Sequence, residues 1–499
     1  MVSRMFAALA ALCMFAGSAA SQATEPDKAV LQDIEHVFEQ WRLDAHVPGL
    51  VYGIVSDGRL VAVKSMGMQD TASRTPVNAD SLFRIASMSK AFTALAILKL
   101  RDEGKLSLDA PAEAYVPEMR GWAYPTKDSR KVRVRDLLNH SAGFVTDDPW
   151  GDRHQPQPEV DFTALLKAGV PFSRPVGSAM EYSNLGYATL GRIISTVSGK
   201  RYEDYIRDNI LIPLGMSSTS YDIFRSPHAR RAIGYRWQDN SWVREPDMAD
   251  GAFGAMGGIE TSANDYARWV AFLLSAWPAR DDPDTGPVPR ATVREIVQGS
   301  NFAHATARPA DAGPPCRWVR AYGMGWRVID DCDLGRVLMH GGGFPGYGSH
   351  VLLLPEKGLG IFVFTNRTYA GPMPPALKAL MALNASGAFP DRGIAMSSAV
   401  TTGYAAARTV WASGDILAAK DRLAMNMLMD HDVAHWKSEL TRLKSAVGTC
   451  AASEPLSAVS ALEANFIWVC EHGRIKGHIL LAPSSDVALQ QLEFDVAKP

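Results

Sequence analysis

The sequence has few cysteines, no long internal apolar run and no run of charges of one sign. Its 499 residues carry 51 lysines and arginines against 53 aspartates and glutamates, for a formal net charge of -2. Without a basic cluster, this balance gives no electrostatic basis for nucleic acid binding. Beyond the N-terminus no apolar stretch is long enough to cross a bilayer, so we expect no stable membrane insertion once the N-terminal segment is removed.

Two common catalytic patterns are also missing. No G-x-S-x-G occurs, which excludes the nucleophile elbow of α/β-hydrolases as the source of an activity. No pair of cysteines has zinc-ligand spacing with histidines nearby. We therefore propose no metal, and we expect no cofactor.

The N-terminus has the features of a secretory signal peptide. Arg4 gives a positive start, residues 5–15 are a short apolar run, and small residues follow. Cleavage after Ala20 or after Ala23 fits these small residues, so we assign residues 1–23 to the signal and expect a secreted or periplasmic protein. An uncleaved N-terminal anchor is the alternative.

Removal of the predicted signal peptide removes Cys13 and leaves four cysteines. An even number is expected for a protein in an oxidising compartment. The four are Cys316, Cys332, Cys450 and Cys470. Pairing Cys316 with Cys332 and Cys450 with Cys470 closes only short loops, and we expect this connectivity. Two other connectivities, and four free buried thiols, remain open at this stage.

Apolar periodicity predicts an α+β fold. Helical spacing covers residues 27–43, and two strands surround a tight turn within 49–67. A long helix is predicted over 87–104, followed by a mostly helical region to about residue 299. Short apolar runs over 322–366 are typical of an antiparallel meander. We expect the strands at both ends to share one sheet.

The chain is predicted to contain two folded parts. The larger spans residues 27–385, and proline and glycine mark its end. The smaller, 396–499, is a predicted α+β module with helices over 404–429 and 435–447 and a hairpin that turns at Gly473. It carries no catalytic pattern, so its role is unknown and binding of a partner is left open.

Ser87 and Lys90 stand three residues apart at the start of the long predicted helix. On a helix their side chains share one face and can touch. A serine hydroxyl becomes a nucleophile when a neighbouring base takes its proton, and a buried lysine at the positive end of a helix loses its proton more readily. The alternative is that Ser87 caps the helix and Lys90 extends into solvent.

Two further motifs follow in order, Tyr182-Ser183-Asn184 and His340-Gly341-Gly342, and each pattern occurs once. Taken singly, Tyr182 could be a core tyrosine and His340 a strand histidine. Together with S-x-x-K, they resemble the penicillin-recognising serine hydrolases, which include class C β-lactamases, D-alanyl-D-alanine carboxypeptidases, D-aminopeptidases and family VIII esterases. Connecting segments such as "VRVRDLLNHSAGF" extend the likeness over residues 33–366.

The resemblance implies a β-lactamase/transpeptidase-like fold, with an antiparallel sheet flanked by helices and a mostly helical subdomain. It implies that Ser87 attacks a carbonyl carbon and becomes acylated, while Lys90 and Tyr182 share its proton. Asn184 would hold the substrate's amide or the lysine. The backbone N–H groups of Ser87 and Gly343 would form the oxyanion hole, and the third motif would lie on an edge strand facing the serine.

The third motif departs from the pattern of β-lactamases and carboxypeptidases, which have Lys-Thr-Gly where this chain has His340-Gly341-Gly342. The cation and the hydroxyl that bind a substrate carboxylate are both missing. We expect His340 to hydrogen-bond Tyr182 or an ester oxygen. The glycines either allow close backbone approach to a substrate or form a strand bulge.

This departure favours an esterase- or peptidase-like hydrolase of a small-molecule or peptide substrate. A β-lactamase or a D-alanyl-D-alanine carboxypeptidase is the alternative within the same chemistry. A penicillin-binding or cell-wall sensor without turnover is the alternative of another class, although a pure binder has no need of the base Lys90.

Overall fold

The structure, a computed structural model, describes residues 25–451 and 456–497. The predicted signal peptide, residues 1–23, lies outside the described residues. Within them the α-helices are, in chain order, α1 (Lys28–Asp44), α2 (Lys90–Asp102), α3 (Val134–Leu138), α4 (Trp150–Arg153), α5 (Glu159–Ala168), α6 (Asn184–Ser198), α7 (Tyr202–Ile206), α8 (Gly254–Gly257), α9 (Ala263–Leu274), α10 (Arg290–Ile296), α11 (Met373–Ala385), α12 (Ser398–Ser413), α13 (Met427–Asp430) and α14 (Val433–Val447).

The strands of the same residues are β1 (Gly49–Ser56), β2 (Arg59–Asp70), β3 (Thr75–Pro76), β4 (Phe83–Arg84), β5 (Tyr235–Gln238), β6 (Ser241–Arg244), β7 (Glu260–Thr261), β8 (Asn301–Ala307), β9 (Arg317–Tyr322), β10 (Arg327–Asp331), β11 (Gly335–Phe344), β12 (Tyr347–Leu354), β13 (Leu359–Thr365), β14 (Cys450–Ala451), β15 (Ser457–Ser460), β16 (Glu463–Cys470), β17 (Gly473–Leu481) and β18 (Leu489–Val496).

A nine-stranded antiparallel sheet forms the centre of the larger part, in the order β3-β2-β1-β13-β12-β11-β10-β9-β8. β1, near the N-terminus, pairs with β13 from Leu50 opposite Thr365 to Ser56 opposite Leu359. The prediction that both ends of this part share one sheet is therefore confirmed. β8 and β9 were not predicted as strands. In β8 partly buried and exposed residues alternate, so it has no continuous apolar run to reveal it.

Both faces of the sheet are covered, which explains why its central strands are apolar throughout. β1 turns Leu50, Tyr52 and Ile54 towards α1 and α11, and Tyr52 stacks on Phe38 of α1 at a centroid distance of 4.3 Å. Val51 and Val55 face the other way, towards the core that contains α2 and α9. The mostly helical region between β4 and β8 continues this second core.

The smaller part is a sheet with helices and a hydrophobic core of its own. Its strands have the order β14-β16-β17-β18, and β15 pairs with β16. The expected helix over 404–429 is shorter, because α12 ends at Ser413 and Gly414 follows with φ 71°, the left-handed conformation that terminates helices. The predicted hairpin is present, but Gly473 is the first residue of β17 and pairs with Cys470, so the turn itself is formed by Glu471 and His472.

Two disulfides lie within the described residues. One joins Cys316 to Cys332 and the other joins Cys450 to Cys470, which is the local connectivity expected from the sequence. The second links β14 to the end of β16. Separately, none of the helices within the described residues has both the length and the apolar character needed to cross a bilayer.

Candidate active site

Ser87 lies on a tight 3-10 turn, Ala86–Ser89, that leads directly into α2. The helix predicted to start at about Ser87 therefore starts at Lys90. The turn opens with Ala86 at φ 50°, an unusual conformation for a residue other than glycine. The hydroxyl of Ser349 on β12 donates to the carbonyl of Ile85 at 2.8 Å, which ties the turn to the sheet.

Lys90 is fully buried, and its ammonium is directed at the serine. Nζ donates to Ser87 Oγ at 3.0 Å, to Asn184 Oδ1 at 2.7 Å and to the carbonyl of Met256 at 2.9 Å. All three donors of an ammonium are thus used. The alternative in which Lys90 extends into solvent does not agree with this geometry.

Burial lowers the pKa of Lys90 from 10.5 to about 8, because an ammonium without water is costly. The negative charges of Asp148, Asp152 and Asp147 act in the opposite direction, while the guanidinium of Arg327 adds to the lowering. Lys90 can therefore lose its proton near neutral pH, which is the property required of a general base.

Tyr182 lies beside both residues. Its ring centroid is 4.9 Å from Lys90 Nζ, and its hydroxyl interacts with Ser87. Burial raises the pKa of Tyr182 well above its usual value of 10.0. The phenol is therefore neutral at physiological pH and retains a proton that it can donate, whereas Lys90 is the group of the pair whose pKa lies nearer neutrality.

Asn184 is the first residue of α6, whose N-cap is Ser183. Its side-chain oxygen accepts from Lys90, as described above, and its side-chain nitrogen donates to Asp148. Its backbone N–H donates to Asp147 at 2.6 Å. Of the two roles expected for Asn184, the structure displays the one that holds the lysine.

His340 is buried but does not hydrogen-bond Tyr182. Its Nδ1 donates to the carbonyl of Gly341 at 2.7 Å, and its Nε2 accepts from the hydroxyl of Tyr322 at 3.0 Å. The ring centroids of His340 and Tyr182 are 6.3 Å apart. Burial keeps the pKa of His340 well below 6.5, so the imidazole is neutral. The expectation of a bond to Tyr182 is corrected, because Tyr322 occupies that nitrogen.

The third motif lies on β11, which is internal in the strand order and not at its edge. The last pair between β10 and β11 is Arg327 opposite Met339. From His340 onward the strand pairs with β12 alone, so its other side is open next to the nucleophile turn. The edge position implied by the resemblance therefore exists locally, in the half of β11 that carries the motif.

The glycines of β11 permit close backbone packing. Pairing with β12 continues without a register shift from Leu338 to Phe344, so they form no bulge. A Cβ at Gly342 would overlap the carbonyl oxygen of Ile85, and one at Gly343 would lie 2.8 Å from the ring of Tyr369. Gly342 thus lets the strand reach the turn that holds Ser87.

Several residues near Ser87 were not singled out from the sequence. Arg327 lies with its guanidinium 5.6 Å from the Tyr182 ring centroid, and the described residues give it no carboxylate partner. The ring of His140 packs on Tyr182 at 4.4 Å and accepts from the backbone N–H of Ser183. His140 does lie in a segment that carried the family resemblance, whereas nothing in the sequence pointed to Arg327.

The chain is similar to curated proteins over part of its own length and part of theirs. It is 28% identical over 344 residues to Protein flp of Staphylococcus aureus (strain N315), which covers 67% of this chain and 63% of that protein. It is 29% identical over 287 residues to Beta-lactamase-like protein 2 of Dictyostelium discoideum, covering 54% and 51%. The chain thus aligns with less than two thirds of the length of these relatives.

The fold is similar to that of solved structures. The octameric penicillin-binding protein homologue from Pyrococcus abyssi aligns with a TM-score of 0.61 and 20% identity, over 94% of this chain and 98% of that chain. The class C beta lactamase from Rhodobacter sphaeroides aligns with a TM-score of 0.54 and 22% identity, over 71% and 98%. The family model described as Beta-lactamase matches residues 25–386, and the chain belongs to that family, whose fold is that of serine hydrolases.

Proposed function

We propose that this protein is an exported serine hydrolase that cleaves an ester or amide bond through an acyl-enzyme on Ser87. One observation carries the proposal. A fully buried Lys90 donates to Ser87 Oγ at 3.0 Å, and its pKa is lowered to about 8. A protein that only binds ligand gains nothing from burying a lysine beside a serine at such cost. Membership of the Beta-lactamase family supports the same chemistry.

In the proposed reaction neutral Lys90 accepts the proton of Ser87 as Oγ attacks the carbonyl carbon. The N–H groups of Ser87 and Gly343 stabilise the oxyanion, a contribution of about 3 kcal/mol for each donor. Neutral Tyr182 donates its proton to the leaving group and regains one from Lys90. Water then hydrolyses the acyl-enzyme with the same groups acting in reverse.

An esterase- or peptidase-like specificity fits the third motif best. His340 is neutral and both its nitrogens are occupied, so it cannot replace the lysine that binds carboxylates in β-lactamases. Arg327 is a cation close to this position, because it lies opposite Met339 beside the motif and its charge acts on His340. The substrate is a small molecule or a peptide. β-Lactamase or D-alanyl-D-alanine carboxypeptidase activity is the second candidate, favoured only if Arg327 receives the carboxylate.

Export is proposed from the N-terminal pattern and from the two disulfides, which persist in oxidising compartments. Fractionation of cells that express the full chain tests it. Recovery of shortened protein in the periplasm or medium is expected, and recovery of full-length protein in the cytoplasm would contradict export.

A substrate panel tests the activity. Purified protein and Ser87→Ala are offered p-nitrophenyl butyrate, nitrocefin and a D-alanyl-D-alanine peptide. We expect turnover of the ester above the other two, and its loss in the variant. Turnover that survives in Ser87→Ala would remove the assigned nucleophile. Labelling of Ser87 by fluorescent penicillin without any turnover would instead identify a penicillin-binding sensor.

A further inference from the structure

The amide of Asn184 connects Lys90 to a carboxylate on a neighbouring loop. Its oxygen accepts from Lys90 Nζ at 2.7 Å, and its nitrogen donates to Asp148 Oδ1. We propose that Asp148 is a positioning residue for the reaction, which fixes the orientation of the Asn184 amide and thereby holds Lys90 against Ser87. This inference rests on the proposed function.

The chemistry of the three groups makes the orientation unique. A carboxylate only accepts hydrogen bonds and an ammonium only donates them, whereas an amide has one accepting and one donating end. With Asp148 on one side and Lys90 on the other, the amide nitrogen must face Asp148 and the oxygen must face Lys90. Without Asp148 the reversed amide becomes accessible, and it would present N–H groups to the lysine.

The loop that carries Asp148 is held against the start of α6 by hydrogen bonds and close packing at Asn184. The carboxylate of Asp147 accepts from the backbone N–H groups of Asn184 at 2.6 Å and of Leu185 at 2.8 Å, and so caps α6. A Cβ at Gly151 would lie 2.6 Å from the Asn184 Cβ. Asp148 itself is exposed, so its replacement leaves no cavity and the cap made by Asp147 remains.

Removal of the Asp148 charge has a second, opposite consequence. The charged and titratable groups that act on or contact Lys90 are Asp147, Asp148, Asp152, Arg327, Tyr182, Tyr187, His140 and His340. Among the charges that favour the ammonium, Asp148 is the strongest. Its loss lowers the pKa of Lys90 further, so the neutral base is available at lower pH. General damage to the site would lower the rate at every pH but would not shift the pH–rate profile towards lower pH.

The experiment follows phosphonylation of Ser87 by a fluorophosphonate probe, in which Oγ bonds to phosphorus and fluoride leaves, from pH 6 to 10. Melting temperatures are measured in parallel. In Asp148→Asn we expect the plateau rate to fall about 10- to 100-fold, because the new amide can accept or donate and no longer fixes the orientation of the Asn184 amide. We expect the acid limb of the pH–rate profile, where the rate rises as Lys90 loses its proton, to move to lower pH by about one unit. Asp148→Glu keeps the carboxylate, and we expect it to recover most of the plateau rate.

Asp152→Asn is the matched control. Asp152 also favours the lysine ammonium, but it accepts from the hydroxyl of Tyr369 at 3.1 Å and does not bond Asn184. We expect this variant to move the acid limb with a plateau within about threefold of the unchanged protein, since the amide orientation is kept.

Three results would overturn the proposal. The first is a plateau rate in Asp148→Asn equal to that of the unchanged protein, and the second is an equal fall of the plateau rate in Asp148→Asn and Asp152→Asn. The third is a large drop in the melting temperature of Asp148→Asn, which would show that Asp148 is needed for folding. If the unchanged protein is not labelled at Ser87 at any pH, the proposed function itself fails. That outcome is distinct because it does not involve Asp148.

Discussion

The acid limb of the pH–rate profile follows directly from the burial of Lys90. Only the neutral amine can accept the proton of Ser87, and burial lowers its pKa from 10.5 to about 8. The lowered pKa leaves about 1% of the amine neutral at pH 6, about 10% at pH 7 and about half at pH 8. A lysine in water would be less than about 0.1% neutral at pH 7.

The rate constant kcat/KM for p-nitrophenyl butyrate should therefore rise nearly tenfold from pH 6 to pH 7 and level off above about pH 9. Initial rates are measured from pH 5.5 to 9.5 and corrected with Ser87→Ala for spontaneous hydrolysis. Because the pKa of Tyr182 is raised well above 10.0, the phenol keeps the proton that it donates, and we expect no fall in kcat/KM at the alkaline end of this range.

Lys90→Arg is the control, since a guanidinium stays protonated at every pH in the series. Its rate should be close to background and should not recover at pH 9. A flat profile between pH 6 and pH 9 would refute Lys90 as the base. An acid limb whose midpoint lies near 10.5, the ordinary pKa of lysine, would refute the effect of burial on Lys90.

Three further changes test other parts of the site. Gly342→Ala should lower kcat/KM at least about tenfold, because its Cβ would overlap the Ile85 carbonyl and displace the nucleophile turn; unchanged kinetics would contradict this packing. Arg327→Gln separates the two candidate specificities in steady-state assays: if Arg327 receives a carboxylate, as the second candidate requires, KM rises about 10- to 100-fold for an ester with a carboxylate near the leaving group, whereas the preferred proposal expects KM to change little for this ester and for p-nitrophenyl butyrate. Replacing Cys316 and Cys332 by serine opens a loop with a sequence separation of 16 and should destabilise the fold by about 3 kcal/mol, seen as a lower thermal midpoint in circular dichroism.

Local patterns predicted the elements whose stability is local. The Asp57-Gly58 turn between β1 and β2 was visible because such pairs adopt the positive φ angles of tight hairpins, and both residues do so here. The apolar run of β13 was visible because both its faces are buried. β8 was missed because it pairs only with β9 and alternates in exposure, so its strand conformation depends on its neighbour.

The same distinction applies to the site. The contact between Ser87 and Lys90 follows from a spacing of three residues around one turn, so the sequence could predict it. Arg327 and Asp148 lie on other elements, and their positions depend on how β10 and the loop before α4 pack around α6. The bond between His340 and Tyr322 depends in the same way on the pairing of β9, β10 and β11. No single-sequence pattern reports such contacts.

The most direct test of the central claim is the location of the acyl group. Protein mixed with p-nitrophenyl butyrate is quenched in acid within the first turnovers, digested and analysed by mass spectrometry. We predict a butyryl adduct on the peptide that contains Ser87, localised to that serine by fragmentation and absent from Ser87→Ala. The same experiment is run on Tyr182→Phe, in which slower deacylation should trap the intermediate. An adduct on Ser89 or Tyr182 would contradict the account. Turnover with no adduct on Ser87 in this variant would contradict it as well.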